Sequence, residues 1–250
     1  MKLNAFVLVI LASVPGATYG QVPGSILGSA QSFAVLGGST VTNTGPTIIN
    51  GDLGLWPGSA ITGFPPGIVI GTIHANNDVA QQAQNDVTAA YNMLAGMTVT
   101  QNLTGTNLGG LTLTPGVYFF SSSAFLTGTL TLDAQGDPNA LFVFQTGSTL
   151  ITASNSSVLT INGDNGYCVY WQVGSSATLG TDTAFQGSIL ALTSITLNTR
   201  ASIFGGRALA RTGAVTLDSN TITAGCIIPT PGASLLLGIA VVGSIARRRR

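Results

Sequence analysis

The sequence repeats one short phrase three times: ATLGT at 177–181, ITLNT at 195–199 and VTLDS at 215–219. The three copies begin 18 and 20 residues apart. Each copy alternates apolar and polar side chains, which is the period of a strand with one buried face. The fourth residue of each copy is a residue typical of turns. Each copy therefore predicts a short strand that ends in a turn.

Two further pieces of sequence return with the same period. TDTAFQG at 181–187 aligns with TRASIFG at 199–205. A third piece closes each period: VYWQV at 169–173, SILAL at 188–192 and GRALA at 206–210. Three short strands per 18–20 residues are typical of one rung of a three-sided parallel β-solenoid, whose rungs stack about 4.8 Å apart. With less regular copies earlier in the chain, the pattern predicts an all-β domain of about six rungs.

One segment follows a helical period instead. Residues 76–95 predict a long α-helix that Asn76, Asn77 or Asp78 can cap and that Gly96 can end. Its apolar side chains recur every three or four residues along one face, at Val79, Ala83, Val87, Ala90, Tyr91 and Leu94. Twenty helical residues span about 30 Å, and six rungs about 29 Å. We therefore expect the helix to pack along the solenoid axis and carry the chain from the first rung to the far end.

The two ends of the chain look like export signals. Residues 1–20 place Lys2 before an apolar run and small residues, which predicts a cleaved secretory signal peptide. Residues 229–250 hold a short apolar run directly followed by four Arg. This tail resembles the PEP-CTERM class of sorting signals, although PTPGA stands where Pro-Glu-Pro is usual. The resemblance implies transient inner-membrane anchoring and release, so we expect a secreted or cell-surface protein whose folded domain is residues 21–228.

Composition excludes several classes of function. Only 6% of the residues are charged, and residues 21–228 carry eight Asp and three Arg, a net charge of −5. This charge argues against a nucleic-acid partner. The Asp residues are scattered, and we find no metal-ligand cluster, nucleophile elbow or P-loop, so we expect no enzyme, metal or cofactor. We interpret His74 as a capping or surface residue and Arg207 as a structural residue that bonds carbonyls of neighbouring rungs.

Two cysteines, Cys168 and Cys226, are the only ones in the chain. In an exported protein an even pair suggests one disulfide. Two buried free thiols are the alternative at this point.

The chain resembles the DUF3494 ice-binding family over about residues 24–226. The similarity is densest at 27–54, 111–120, 170–180 and 187–223. It implies a discontinuous triangular solenoid in which the first and last rungs are neighbours, with the helix alongside. It also implies a monomer that adsorbs to ice through one flat face and inhibits ice growth and recrystallisation. The family pattern further implies a Cys168–Cys226 disulfide, for which the tail after Thr223 must fold back, because a straight stack separates the two by about 14 Å.

Threonine suits the recognition of ice, which offers only a periodic array of oxygens. Its hydroxyl donates and accepts hydrogen bonds, and its branched side chain is stiff. Two sets of positions could form the face. The first is the outward position of each repeated phrase: Thr178, Thr196 and Thr216. The second, which the resemblance favours, is the stretch after each turn with its counterparts in other rungs: Thr181, Thr183, Thr199, Ser202, Ser219, Thr221, Thr42, Thr44, Thr127, Thr129, Thr152 and Ser154.

Two charged residues interrupt the second set. Asp182 and Arg200 stand where the family has small residues, and we expect them to pair across adjacent rungs. Their charge predicts moderate ice activity. The alternative function is an extracellular matrix or surface adhesin that uses the same solenoid to bind polysaccharide.

Overall fold

Three parallel β-sheets form the sides of a triangular solenoid, and one α-helix packs on the outside. The computed structural model describes residues 26–163 and 167–226. The predicted fold class is confirmed. The predicted signal peptide and sorting tail lie outside the described residues. Within the described residues, no helix has the length and hydropathy needed to cross a membrane.

The covered sheet is the side on which the helix lies. Its order is β7 (Ile73–Ala75), β4 (Asp52–Leu55), β1 (Phe33–Gly37), β22 (Ala208–Ala210), β19 (Ser188–Ala191), β16 (Tyr167–Val173), β13 (Ala140–Thr146), β10 (Gly116–Phe120) and β8 (Gln101–Asn102). The threonine sheet is the second side. Its order is β11 (Ala124–Leu126), β14 (Leu150–Thr152), β17 (Ala177–Leu179), β20 (Ile195–Leu197), β23 (Val215–Asp218), β2 (Thr40–Thr44) and β5 (Ala60–Thr62).

The third sheet closes the triangle. Its order is β6 (Ile68–Ile70), β3 (Ile48–Asn50), β24 (Thr221–Thr223), β21 (Ser202–Phe204), β18 (Ala184–Gln186), β15 (Ser157–Ile161), β12 (Thr129–Asp133) and β9 (Thr112–Leu113). A short 3-10 helix, Gly28–Ser32, precedes β1.

Seven rungs contribute one strand to each sheet, one more than the expected number. Partial rungs flank them, with β7 at one end and β8 and β9 at the other. The extra rung consists of β4, β5 and β6, whose connections contain Trp56-Pro57 and Phe64-Pro65-Pro66 and therefore hide the repeat in the sequence.

The rungs do not stack in chain order. The first rung, β1–β3, lies between the last rung, β22–β24, and the second, β4–β6. We call the junction between the first and last rungs the seam. The discontinuity implied by the resemblance is thus confirmed.

The interior of the triangle is a continuous column of apolar side chains, because every second residue of each strand points inward. Equivalent residues of successive rungs stack directly. Phe144 and Trp171 are paired in register with ring centroids 3.9 Å apart, and Tyr118 and Phe185 extend the stack on either side. Such aromatic stacking adds to the free energy of burial and fixes the register of adjacent rungs.

The helix α1 runs from Asp78 to Ala95 and covers one sheet. The Asn77 side chain caps it by accepting a hydrogen bond from the amide of Ala80 at 3.0 Å. Its buried residues are Ala80, Ala83, Gln84, Val87, Ala90, Tyr91 and Leu94. The inclusion of Val79 in this face was wrong: the side chain is 48% exposed. Ala80, Val87 and Leu94 are spaced seven residues apart and therefore lie on one face of the helix. Val79 precedes Ala80 by one residue, a rotation of about 100° around the helix axis, and so lies off that face.

The helix connects opposite ends of the solenoid, as expected. The strand before it, β7, is one edge of the covered sheet, and the strand after it, β8, is the other edge. The later rungs then wind back from β8 toward the first rung.

A disulfide joins Cys168 and Cys226. Their Cα atoms are 5.3 Å apart, and the tail after Thr223 folds back as the sequence required. The Ala224 amide donates to the carbonyl of Asn50 at 3.0 Å, which extends the pairing of β24 with β3 before the chain reaches Cys226.

Candidate functional site

Five threonines lie in register on consecutive rungs of the threonine sheet. The pairs Thr178–Thr196, Thr196–Thr216, Thr216–Thr42 and Thr42–Thr62 are all direct neighbours in the sheet. We call this column the threonine ladder. Thr178, Thr196 and Thr216 face outward because the residues on both sides of each point into the core, as Ile195 and Leu197 do around Thr196, and Thr42 and Thr62 continue the same column in register. The parallel strands therefore repeat one side chain about every 4.8 Å.

On the side that precedes the ladder, the neighbouring outward residues are small and uncharged, whereas Asp218 follows Thr216 on the other side. The outward positions that precede the ladder are Ser176, Ser194, Ala214, Thr40 and Ala60. Some of these hydroxyls bond along the stack, since the Ser194 side chain accepts from the Ala214 amide at 3.2 Å. Toward β11 the ladder ends at Ile151 and Phe125, which are 38% and 47% exposed. The ladder and the outward positions that precede it therefore form a narrow, uncharged strip.

The outer surfaces of the other two sheets differ from that of the threonine sheet. The helix lies on the outer side of the covered sheet. On the third sheet, one outward column reads Gln186, Phe204 and Thr223 on successive rungs, and the other reads Thr129, Ser157, Ala184, Ser202, Thr221 and Ile48. Phe204 is 49% exposed and protrudes between smaller groups, so this side is chemically irregular.

The favoured second set lies mainly at the corner between the threonine sheet and the third sheet. Asp182, Arg200 and Ser219 each have a φ near +58°, at +58°, +60° and +56°, which makes this corner a left-handed turn on successive rungs. The expectation that Thr183 and Thr152 face outward was wrong. They are 1% and 3% exposed, and their hydroxyls lie 2.9 Å apart inside the corner. Buried hydroxyls of this kind satisfy turn backbone groups and cannot contact a crystal surface.

The remaining members of the second set do not form one surface. Thr42 and Thr44 belong to the threonine sheet, and Thr42 is a ladder residue. Those at or beside the corner are Thr127, Ser154, Thr181, Thr199 and Ser219. Those on the third sheet are Thr129, Ser202 and Thr221. Sequence reasoning also missed Thr62, although the alternation in AIT at 60–62 is the same as in the repeated phrase.

Asp182 and Arg200 form the expected ion pair across adjacent rungs. The Nε and Nη2 atoms of Arg200 donate to the two carboxylate oxygens of Asp182, each at 2.7 Å. The pair is solvent-exposed, so its contribution to stability is small. It lies at the corner and leaves the threonine ladder free of charge.

We expect stability to fall at the acid end of the pH range. Hydrogen bonds from Arg200 lower the pKa of Asp182, and those from Asn162 lower the pKa of Asp133. At Asp86, burial raises the pKa, but hydrogen bonds from Ser29 outweigh it and the net pKa is lowered. These depressed pKa values stabilise the fold above the unfolded-state pKa of about 4, and the stabilisation is lost as pH falls through the folded-state values.

The expected result is a melting temperature that declines below about pH 4. The threonine ladder has no titratable group, so ice recrystallisation inhibition at pH 5 should equal that at pH 8. Calorimetry and ice-grain imaging across this range provide the test. A large change in activity between pH 5 and 8 would show that an ionisable group takes part.

The described residues show no catalytic constellation. No three His, Cys, Asp or Glu side chains within them come together in a way that could hold a metal ion. The Nδ1 atom of His74 lies 3.3 Å from the Asn77 side chain, so this residue supports the helix cap. Arg207 bonds backbone carbonyls, which confirms its structural interpretation.

The fold and the ladder together define a class: a discontinuous solenoid that presents a periodic, uncharged threonine strip. The chain belongs to the ice-binding-like family, whose model matches residues 35–223. It is 56% identical to an ice-binding protein of Nostoc sp. (strain HG1) over 98% of this chain and 93% of that protein.

Solved structures show the same fold. A crystal structure of an ice-binding protein from an Antarctic biological consortium has a TM-score of 0.76 at 49% identity and covers 88% of this chain and 96% of that one. The ice-binding protein of the Antarctic ascomycete Antarctomyces psychrotrophicus has a TM-score of 0.75 at 44% identity, with coverage of 79% and 96%.

Proposed function

We propose that this protein adsorbs to ice through the threonine ladder and so inhibits ice growth and recrystallisation. The observation that carries the proposal is the register of five outward threonines on five consecutive rungs. Family membership supports ice as the ligand, and the register of the ladder supports the threonine sheet as the binding face, in place of the corner stretch that the resemblance favours.

The chemistry of the ladder fits an ordered water surface. Each hydroxyl can donate and accept, and each methyl excludes water from one side of the side chain. A single such contact is weak, so adsorption depends on many contacts forming at once on a rigid face. Backbone pairing between rungs supplies that rigidity, and the scarcity of charge avoids water held in other geometries.

The cellular context belongs to the same proposal. A disulfide is typical of a protein that folds outside the reducing cytosol. Together with the predicted signal peptide and sorting tail, it supports export and release to the cell exterior.

Ice crystals grown in the purified protein test the proposed function. We expect faceted crystals, a modest gap between melting and freezing temperatures, and small ice grains after annealing. Round crystals and normal grain coarsening at high protein concentration would contradict ice adsorption. If the same protein then bound polysaccharide, the adhesin alternative would stand in its place.

A further inference from the structure

At every other junction between neighbouring described rungs, the chain passes directly from one rung to the next. At the seam, the two neighbouring rungs are not consecutive in the chain. Strands β22, β23 and β24 pair with β1, β2 and β3 although the two rungs lie near opposite ends of the sequence. Side-chain bonds across the seam join residues as far as 176 positions apart. Elsewhere each rung leads into its neighbour through a short connection, so the seam depends most on non-covalent contacts.

Arg207 is buried at one end of the seam. Its side chain is 3% exposed, and its Nε and Nη2 atoms donate to the carbonyl of Gln31, at 3.1 and 2.6 Å, just before β1. Its Nη1 atom donates to the carbonyl of Gly225 at 2.9 Å and to the Ser188 hydroxyl at 3.3 Å. One guanidinium thus joins the start of the first rung to the segment that follows the last rung.

Burial of a cation is costly unless hydrogen-bond acceptors surround it. The carbonyls of Gln31 and Gly225 provide such acceptors for Arg207. Burial lowers the pKa of Arg207, but a guanidinium stays protonated in proteins. Its planar donors fit backbone carbonyls from two directions, which a lysine ammonium cannot reproduce.

Gln84 holds the other end of the same strand pair. It reaches from α1, is 4% exposed, and its Nε2 atom donates to the carbonyls of Gly37 and Ala210, each at 2.9 Å. Gly37 ends β1 and Ala210 ends β22, so one amide clamps both sides of the seam. The helix thereby fixes the register of rungs that the chain leaves unconnected.

The threonine ladder crosses the seam between Thr216 and Thr42. Thr178 and Thr196 continue it on one side, and Thr62 continues it on the other. Any slip or opening of the seam would divide the ladder into a three-rung and a two-rung segment. Neither segment alone would offer the full periodic face.

We propose that Arg207 and Gln84 are positioning residues that lock the seam, so that the two segments of the threonine ladder act as one ice-binding face. The activity part of this inference rests on the proposed function. The structural part, that these two residues lock the seam, does not depend on the proposed function and is measured separately by hydrogen exchange.

Hydrogen exchange tests the lock directly. We expect Arg207→Met to speed exchange roughly tenfold at amides that bond across the seam, those of Gly38, Ile48 and Ser219. Arg211→Met is the matched control, because Arg211 directly follows the same strand but lies over the Tyr91 ring of the helix. Exchange in rungs far from the seam should stay unchanged in both variants. Exchange that becomes faster at all amides alike, or that does not become faster at the seam amides, overturns the proposed lock.

Gln84→Met provides a second, milder variant if Arg207→Met does not fold. Its matched control is Gln145→Met, since Gln145 is equally buried and donates to the carbonyls of Leu94 and Met97, away from the seam. We expect faster exchange across the seam only for Gln84→Met. Equal effects of the two variants overturn the proposal.

A double-mutant cycle separates positioning from a general loss of folded protein. In the parent protein, Thr42→Tyr should remove most ice activity, because one protrusion lifts a single rigid face. The Arg207→Met protein should already have reduced ice activity. In that background, Thr42→Tyr should lower the activity by a several-fold smaller factor than in the parent, because the three-rung segment approaches ice independently. An identical factor in both backgrounds overturns the positioning role. Absence of ice activity in the parent would refute the proposed function and leave hydrogen exchange to decide the lock.

Discussion

Thr196→Tyr is expected to abolish most of the ice activity. Thr196 is the second rung of the ladder, between Thr178 and Thr216, and it faces outward from a flat sheet. A tyrosine there protrudes beyond its neighbours and keeps the other hydroxyls away from a rigid lattice. The free energy of unfolding should change by only about 0.5 kcal/mol, because the residue lies on the surface of its strand. Thermal hysteresis and recrystallisation assays at equal protein concentration measure the effect.

Thr221→Tyr is the matched control. Thr221 is also an outward, half-buried strand threonine, but it lies on the third sheet in register with Ser202. We expect this variant to keep the parent activity. If Thr221→Tyr loses activity while Thr196→Tyr keeps it, the third sheet and its corner form the binding face, as the second set of sequence candidates suggested.

Removal of the disulfide should produce the largest loss of stability. The bond joins residues 58 positions apart, and closing a loop of that length stabilises the fold by about 4 kcal/mol in the chain-entropy model. We expect the Cys168→Ala/Cys226→Ala double variant to melt about 10 °C or more below the parent. Replacing both residues avoids an unpaired thiol. Calorimetry of the two proteins at the same pH gives the comparison.

The ladder itself should survive this change at low temperature. The disulfide ties the tail after Thr223 to β16 on the covered sheet, far from the outward side of the threonine sheet. Ice shaping near 0 °C should therefore match that of the parent. A melting temperature within 2 °C of the parent would contradict the proposed stabilising role.

The repeated phrase was enough to predict the solenoid, because period and turn residues are local properties of the chain. The same holds for the helix, where Asn77 and Gly96 mark both ends. The Asp182–Arg200 pair followed from the 18-residue spacing of its members, since that spacing equals one rung.

The contacts that hold the seam could not be predicted from the local sequence pattern. They depend on Arg207 and Gln84 reaching backbone carbonyls more than 40 residues away. The resemblance supplied the neighbouring first and last rungs. The sequence indicated that Arg207 bonds rung carbonyls but not that it joins these two rungs, and Gln84 carried no such signal. Rung number was likewise obscured where prolines interrupt the second rung.

The geometry of the corner explains why the second set of candidate positions does not form one surface. Outward and inward positions alternate along a strand, but a corner breaks the alternation. Thr183 and Asn220 follow left-handed residues and turn inward, where they bond the backbone of adjacent rungs. Thr199 bonds the Asp218 carboxylate instead of projecting freely. The ladder keeps the alternation that the repeated phrase displays.

Adsorption to a growing ice hemisphere tests the central claim most directly. Fluorescently labelled parent protein and its Thr196→Tyr variant are frozen slowly from dilute solution onto a cold ice surface. The account predicts that the parent is incorporated into the ice and that Thr196→Tyr is left in the liquid. Exclusion of the parent, or equal incorporation of the two proteins, would contradict ice binding through the threonine ladder.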